Sequence, residues 1–324
     1  MILALLACVA MEDTAAPADS GEGTLDLRLN EGDYTAGDVE LWGPDVVIEP
    51  GEDVMHCIAG TYSGGDIGIH GLTTWQNKFG HHLQFFGLAA GTVDYADGAT
   101  FACGTGTAFD MTDTTPVGIP TAVWIGDEQT IDTGLDEGMA FAFDAGERYL
   151  LQAHYVNTGA EAIRAHDLVV FDTLDPDTEV STWAAPVILN NANIELPPAQ
   201  AASMSFDCPV AADNVGDGVH VLFVNGHMHE WGTSLRVSQL RDDETRVLND
   251  VPTWEPVFRD SPPTTAYAAG ELDFLPGDTL RTECNWFNET DAAINFPHEM
   301  CDGVAIGYPL KTTWICDSDT GMNP

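Results

Sequence analysis

Histidine and methionine are the residues whose types and spacing could do metal chemistry in this sequence. It holds ten histidines, and three segments concentrate them: Gly80-His81-His82-Leu83, Leu151-Gln152-Ala153-His154-Tyr155 and Asn225-Gly226-His227-Met228-His229-Glu230. His227 and His229 bracket one residue in a strand-like run. Alternate positions on a strand share a face, so two imidazoles there make a bidentate site. Two ordinary histidines would give the same pattern. His81 and His82 are adjacent and would diverge on a regular strand. Joint ligation requires a bulge or a strand end, which the neighbouring Gly80 eases. His154 lies in an apolar run, where a single histidine is more often a core residue than a ligand. Imidazole sites suit copper, zinc, iron or nickel, and a thioether shifts the preference to copper(I). Met300, in Pro297-His298-Glu299-Met300-Cys301, is the best thioether candidate, against the common fate of methionine as core filler. A methionine ligand does not suit a hydrolytic zinc site with Glu230 as base.

The elements that must position these residues read as strands. Short apolar runs such as HLQFFGLAAG, RYLLQAHYVN, DLVVFDTLD, GVHVLFVNGH and GVAIGYPL alternate with Gly, Asp, Asn and Pro clusters. No long stretch keeps a helical apolar period, so the pattern predicts an all-β chain of antiparallel sandwiches. Its 324 residues suit two domains better than one small sandwich. The segment LDPDTEVSTWAAP suggests a boundary, dividing the body into 25–178 and 179–324.

Composition narrows the function classes. Ten basic and 52 acidic residues give a formal charge of −42. Such a surface repels nucleic acid and anionic headgroups and favours solubility. Seven cysteines occur without a CxxC pair, which disfavours a zinc ribbon or a thioredoxin-like site. Cys57, Cys103, Cys208, Cys284, Cys301 and Cys316 could form three disulfides in an oxidising compartment, with fifteen pairings open. The start, MILALLAC, looks like a bacterial lipoprotein signal, although the first basic residue is Arg28. It implies an extracytoplasmic protein with a lipid anchor at Cys8 and a flexible acidic tether to about residue 24.

In order, HH, LQxHY, HxH followed by glycine, and EMC resemble the copper type II, ascorbate-dependent monooxygenases over roughly residues 50–316. The resemblance implies two tandem jelly-roll-like β-sandwich domains, each holding one copper ion. His81, His82 and His154 would ligate an electron-transfer copper, with Gln152 beside it. His227, His229 and Met300 would ligate a catalytic copper that takes O2 and substrate. Ascorbate or a similar reductant would supply electrons, and an activated C–H bond of a small molecule would be hydroxylated. The resemblance also implies the pairs Cys57–Cys103, Cys208–Cys316 and Cys284–Cys301. The peptide-hydroxylating branch has an arginine where this chain has Asn225, and an asparagine and a tyrosine where it has Asp302 and Val304. Loss of the cation and gain of an acid disfavour a carboxylate substrate. A neutral or cationic molecule, such as a benzylic amine, fits better. Two other readings use the same residues: a non-catalytic copper-binding lipoprotein, and a β-sandwich adhesion or carbohydrate-binding module with incidental histidines.

Overall fold

The computed structural model describes residues 24–30, 32–88, 95–103, 120–125, 128–131, 135–175, 178–191, 193–259, 262–296 and 298–317. Cys8, the leader and the tether lie outside the described residues. Helical turns among the described residues are limited to Ala212–Val215 and Pro256–Arg259. The rest is strand and connecting turn, so the chain is all-β.

Alternation in the sequence becomes two-faced sheets. In the Thr279–Asn288 strand, Leu280, Thr282, Cys284, Trp286 and Asn288 are buried while the residues between them are less so. That strand pairs with Gln200–Pro209 on one side and Gly232–Arg241 on the other, and Glu244–Val251 completes a four-stranded sheet. It packs on Thr182–Asn190, Asp302–Tyr308 and Val219–His227 through Val187, Leu189, Val224, Leu235, Leu280 and Trp286.

A second core serves the first half of the chain. Here a five-stranded sheet runs Thr100–Ala102, Asp53–Thr61, Arg148–Val156, Gly80–Leu88, Pro120–Ile125. Leu83, Phe85, Leu151, Ala153 and Tyr155 pack from it onto Leu72, Phe141, Phe143, Val169 and Phe171 of the opposite sheet. Fully burying such side chains contributes about 1.5–3 kcal/mol each. The intervening residues Gln152 and His154 therefore face away from this core.

The sheets are mainly antiparallel, but three short pairings among the described strands run parallel. One of them joins the halves. Thr182–Ala184 pairs in parallel with Met139–Phe141, while Ala185–Leu189 of the same strand pairs with Asp302–Tyr308. A parallel neighbour needs a long crossover, which the stretch from 144 to 181 provides. One eleven-stranded sheet thus continues from the first core into the second. The disulfides are Cys57–Cys103, Cys208–Cys316 and Cys284–Cys301, the pairing implied by the resemblance, with Cα separations of 5.6, 6.1 and 5.9 Å.

Candidate metal centres

His154 sits on the central strand of the five-stranded sheet. Its Cα partners are His82 on one neighbour and Met55 on the other. Directly opposed residues on a sheet place their Cβ atoms about 4.5–5.5 Å apart. The register shifts at this point: His154 pairs with His82, but Tyr155 pairs with Gly80. His81 is therefore the extra residue of a bulge, the irregularity that adjacent histidines need in order to share a face. The His81 and His82 side chains lie outside the described residues.

The His154 side chain is buried, and its Nε2 lies 2.5 Å from Asp53 Oδ1. A carboxylate on one ring nitrogen fixes the tautomer and leaves metal ligation to the other, here Nδ1. Gln152 lies on the same face two residues earlier. Its Cα partners are Cys57 and Gln84, and its Nε2 is 3.7 Å from Cys103 Sγ. The Cys57–Cys103 bridge thus lies against Gln152, on the face that carries His154.

The second set gathers at the end of a strand. Val219–His227 stops at His227, so His229 lies beyond it in a turn. Strand alternation alone, the expectation from HxH, is therefore not what aligns the pair. Met228 is fully buried in the second core, and the chain turns around it. The two imidazole rings flank it with centroids 5.1 Å apart and planes at 82°. His229 Nδ1 donates to the His298 carbonyl at 2.9 Å. The Arg259 carbonyl accepts from the His227 ring. Each imidazole spends one nitrogen on the backbone, which leaves the other for a metal.

Electrostatics keep both rings uncharged. Burial pushes His227 down to about 4, and the Arg259 guanidinium adds to the shift. Burial, then His227 and Arg259, hold His229 well below the ordinary histidine value. Neutral imidazole is the form that binds a metal, so this site carries no proton to displace at neutral pH. Arg259 itself pairs with Glu230, Nη1 to Oε2 at 3.3 Å.

Met300 lies two residues before Asp302, and Asp302 is the Cα partner of His227. Glu299 ties the two segments together. Its carboxylate is fully buried and accepts from the backbone N–H of His229 at 2.6 Å, Met300 at 2.9 Å and Trp231 at 3.3 Å. Burial pushes Glu299 up to about 7 against the pull of those N–H groups. Trp254 Nε1 also donates to the His229 carbonyl at 2.9 Å.

Among the described residues, no group of three or more His, Cys, Asp or Glu side chains is arranged to hold a metal. The paired, neutral, carbonyl-anchored imidazoles nevertheless fit a copper ion completed by a thioether. Sequence reasoning gave no role to Asp53, Glu299 or Arg259. Glu299 lay inside a segment already singled out for Met300. Nothing in the spacing signals Asp53, which reaches His154 across 101 residues. His298 acts through its carbonyl rather than its ring. The remaining histidines have local partners: His220 bonds Asp273, His70 Nδ1 lies 3.0 Å from the Met139 carbonyl, and His166 packs on Trp42. His56 stands beside Cys57, with Ala153 and Ala102 as Cα partners.

The fold and this geometry define an all-β protein in which two uncharged imidazoles, His227 and His229, lie side by side at the end of a strand. Residues 185–323 match the family model described as copper type II ascorbate-dependent monooxygenase, C-terminal domain. No curated protein matches the chain. Similar solved structures include "The Triple Jelly Roll Fold and Turret Assembly in an Archaeal Virus", at 8% identity and TM-score 0.22, covering 86% of this chain and 61% of that one. Another is "Crystal structure of infectious bursal disease virus VP2 subviral particle", at 7% identity and TM-score 0.20, covering 83% and 71%. Likenesses this slight say nothing about function.

Proposed function

We propose that this chain hydroxylates an activated C–H bond of a small neutral or cationic organic molecule, using O2 and a one-electron donor such as ascorbate. The carrying observation is the second centre: the neutral His227 and His229 rings lie side by side, and Glu299 ties the His229 backbone to that of Met300. In this reading His227, His229 and Met300 hold the catalytic copper. His81, His82 and His154 hold a second, electron-storing copper, with Gln152 beside it. Copper, when bound, would supply the one-electron chemistry that couples O2 to the activated C–H bond.

The residues themselves supply position and charge. Asp53 holds the His154 ring in one tautomer, and the His298 and Arg259 carbonyls do the same for His229 and His227. The substrate side is argued from the strand pair Val219–His227 and Asp302–Tyr308. Asn225 and Val304 are Cα partners there, as are His227 and Asp302. Asn225 Nδ2 bonds Thr264 Oγ1 at 3.3 Å and brings no charge. With an acid opposite His227 and Arg259 already paired to Glu230, a free carboxylate is disfavoured and an amine is favoured. The reading includes domains at 25–178 and 179–324, export, and an anchor at Cys8.

The test is copper stoichiometry combined with oxygen uptake. The loaded protein should bind two coppers per chain, and His154→Ala and Met300→Ala should each weaken a different one. Ascorbate with an aromatic amine should drive oxygen uptake coupled to hydroxylated product. Two bound coppers without coupled uptake across a broad substrate panel would point to a copper-binding lipoprotein. Fewer than one copper per chain would remove metal function altogether.

A further inference from the structure

We infer that Glu299 is the positioning residue that sets the separation between the imidazole and thioether ligands of the second centre. This rests on the copper reading above. One carboxylate oxygen, Oε1, accepts from both the His229 and Met300 backbone N–H groups, at 2.6 and 2.9 Å. The two residues are 71 positions apart in sequence, yet neither amide can withdraw from the other without breaking a bond to the same atom. The other oxygen takes the Trp231 N–H at 3.3 Å, so the turn after His229 is gripped as well.

The two sides of this clamp are not equally supported. His229 has further anchors, since its ring donates to the His298 carbonyl and its own carbonyl accepts from Trp254. On the methionine side, the Glu299 oxygen holds the Met300 amide and the Cys284–Cys301 bridge holds the next residue. Loosening Glu299 should therefore move the thioether first and spare the imidazoles. The metal site would lose its soft ligand while keeping its nitrogen ligands.

Glu299→Asp and Glu299→Gln separate positioning from simple burial. Aspartate keeps the carboxyl group but is one methylene too short to reach both amides. Glutamine keeps the length and one acceptor oxygen for the His229 and Met300 amides, and its NH2 group faces the Trp231 N–H. In the full chain loaded with copper(I), X-ray absorption should show copper–sulfur scattering for wild type and Glu299→Gln. Glu299→Asp should lose it. Competition with a chromophoric copper(I) chelator should show one of two sites weakened about tenfold or more in Glu299→Asp, the other unchanged. Unchanged scattering and affinity in Glu299→Asp would overturn the inference. So would equal losses in both variants accompanied by equal drops in metal-free Tm, which is what a merely structural role predicts. Wild-type amide exchange gives a test that needs no variant. The His229 and Met300 amides should both be strongly protected in the metal-free protein, and free exchange of either would also overturn it. Absence of copper–sulfur scattering in the wild type would instead sink the copper reading.

Discussion

At the residue scale, the chain buries two carboxylates next to its candidate ligand segments. Glu299 lies under the second, and Asp167 lies beside the turn that leads into His81 and His82. Asp167 is fully buried and accepts from the Asn77 backbone N–H and Nδ2, both at 3.2 Å, and from Gln76 Nε2 at 3.3 Å. Burial pushes its carboxyl up to about 6, from an ordinary 3.8, despite those donors. Between these values the folded state holds a proton that the unfolded state has lost. Its contribution is thus complete below pH 3.8 and is lost as pH rises through about 6. Two units amount to about 3 kcal/mol. Asp167→Asn keeps the shape and cannot ionise. Urea unfolding from pH 3 to pH 7 should show wild type losing about 3 kcal/mol more than the variant over that range. Parallel curves for the two proteins would remove this role.

At the element scale, two irregularities position the candidate ligands. The bulge at His81 can be healed by deleting that residue, which would let Gly80 and His82 run in regular register with the Arg148–Val156 strand. The deletion should leave the β-sheet circular dichroism intact and lower bound copper from two per chain to one. Retention of both coppers would show that His81 is not a ligand. The second irregularity is the turn around Met300, tied by Cys284–Cys301 to the Thr279–Asn288 strand. These cysteines are 17 residues apart. Closing a loop of about that size is worth about 3 kcal/mol. Replacing both cysteines with alanine should lower the unfolding free energy by about that much, and weaken copper at the Met300 site more than at the His154 site.

At the scale of the whole molecule, charge and sheet continuity act together. Fifty-two acids against ten basic side chains leave most surface carboxylates without a cation. Their mutual repulsion weakens the compact state. Raising ionic strength from about 10 mM to about 1 M shortens the Debye length from about 30 Å to about 3 Å. The metal-free Tm should therefore rise with added sodium chloride. A falling Tm would mean that attractive pairs, such as Arg164–Asp45 and Arg281–Asp207, outweigh the repulsion.

Strand alternation, turn residues and the absence of helical periods made the all-β class legible from sequence, because side-chain period is a local property. The ligand candidates were legible too, because few residue types bind copper and four short motifs carried them in order. Local pattern could not supply the register that makes His154 the partner of both His82 and Met55, since pairing between distant strands is set by packing on both faces. Nor could it reveal that one strand, Thr182–Asn190, serves two cores, or that Glu299 holds His229 and Met300 together. The strand pairings and the Glu299–His229 bond join residues about forty or more positions apart, and only the folded chain brings such groups within bonding distance.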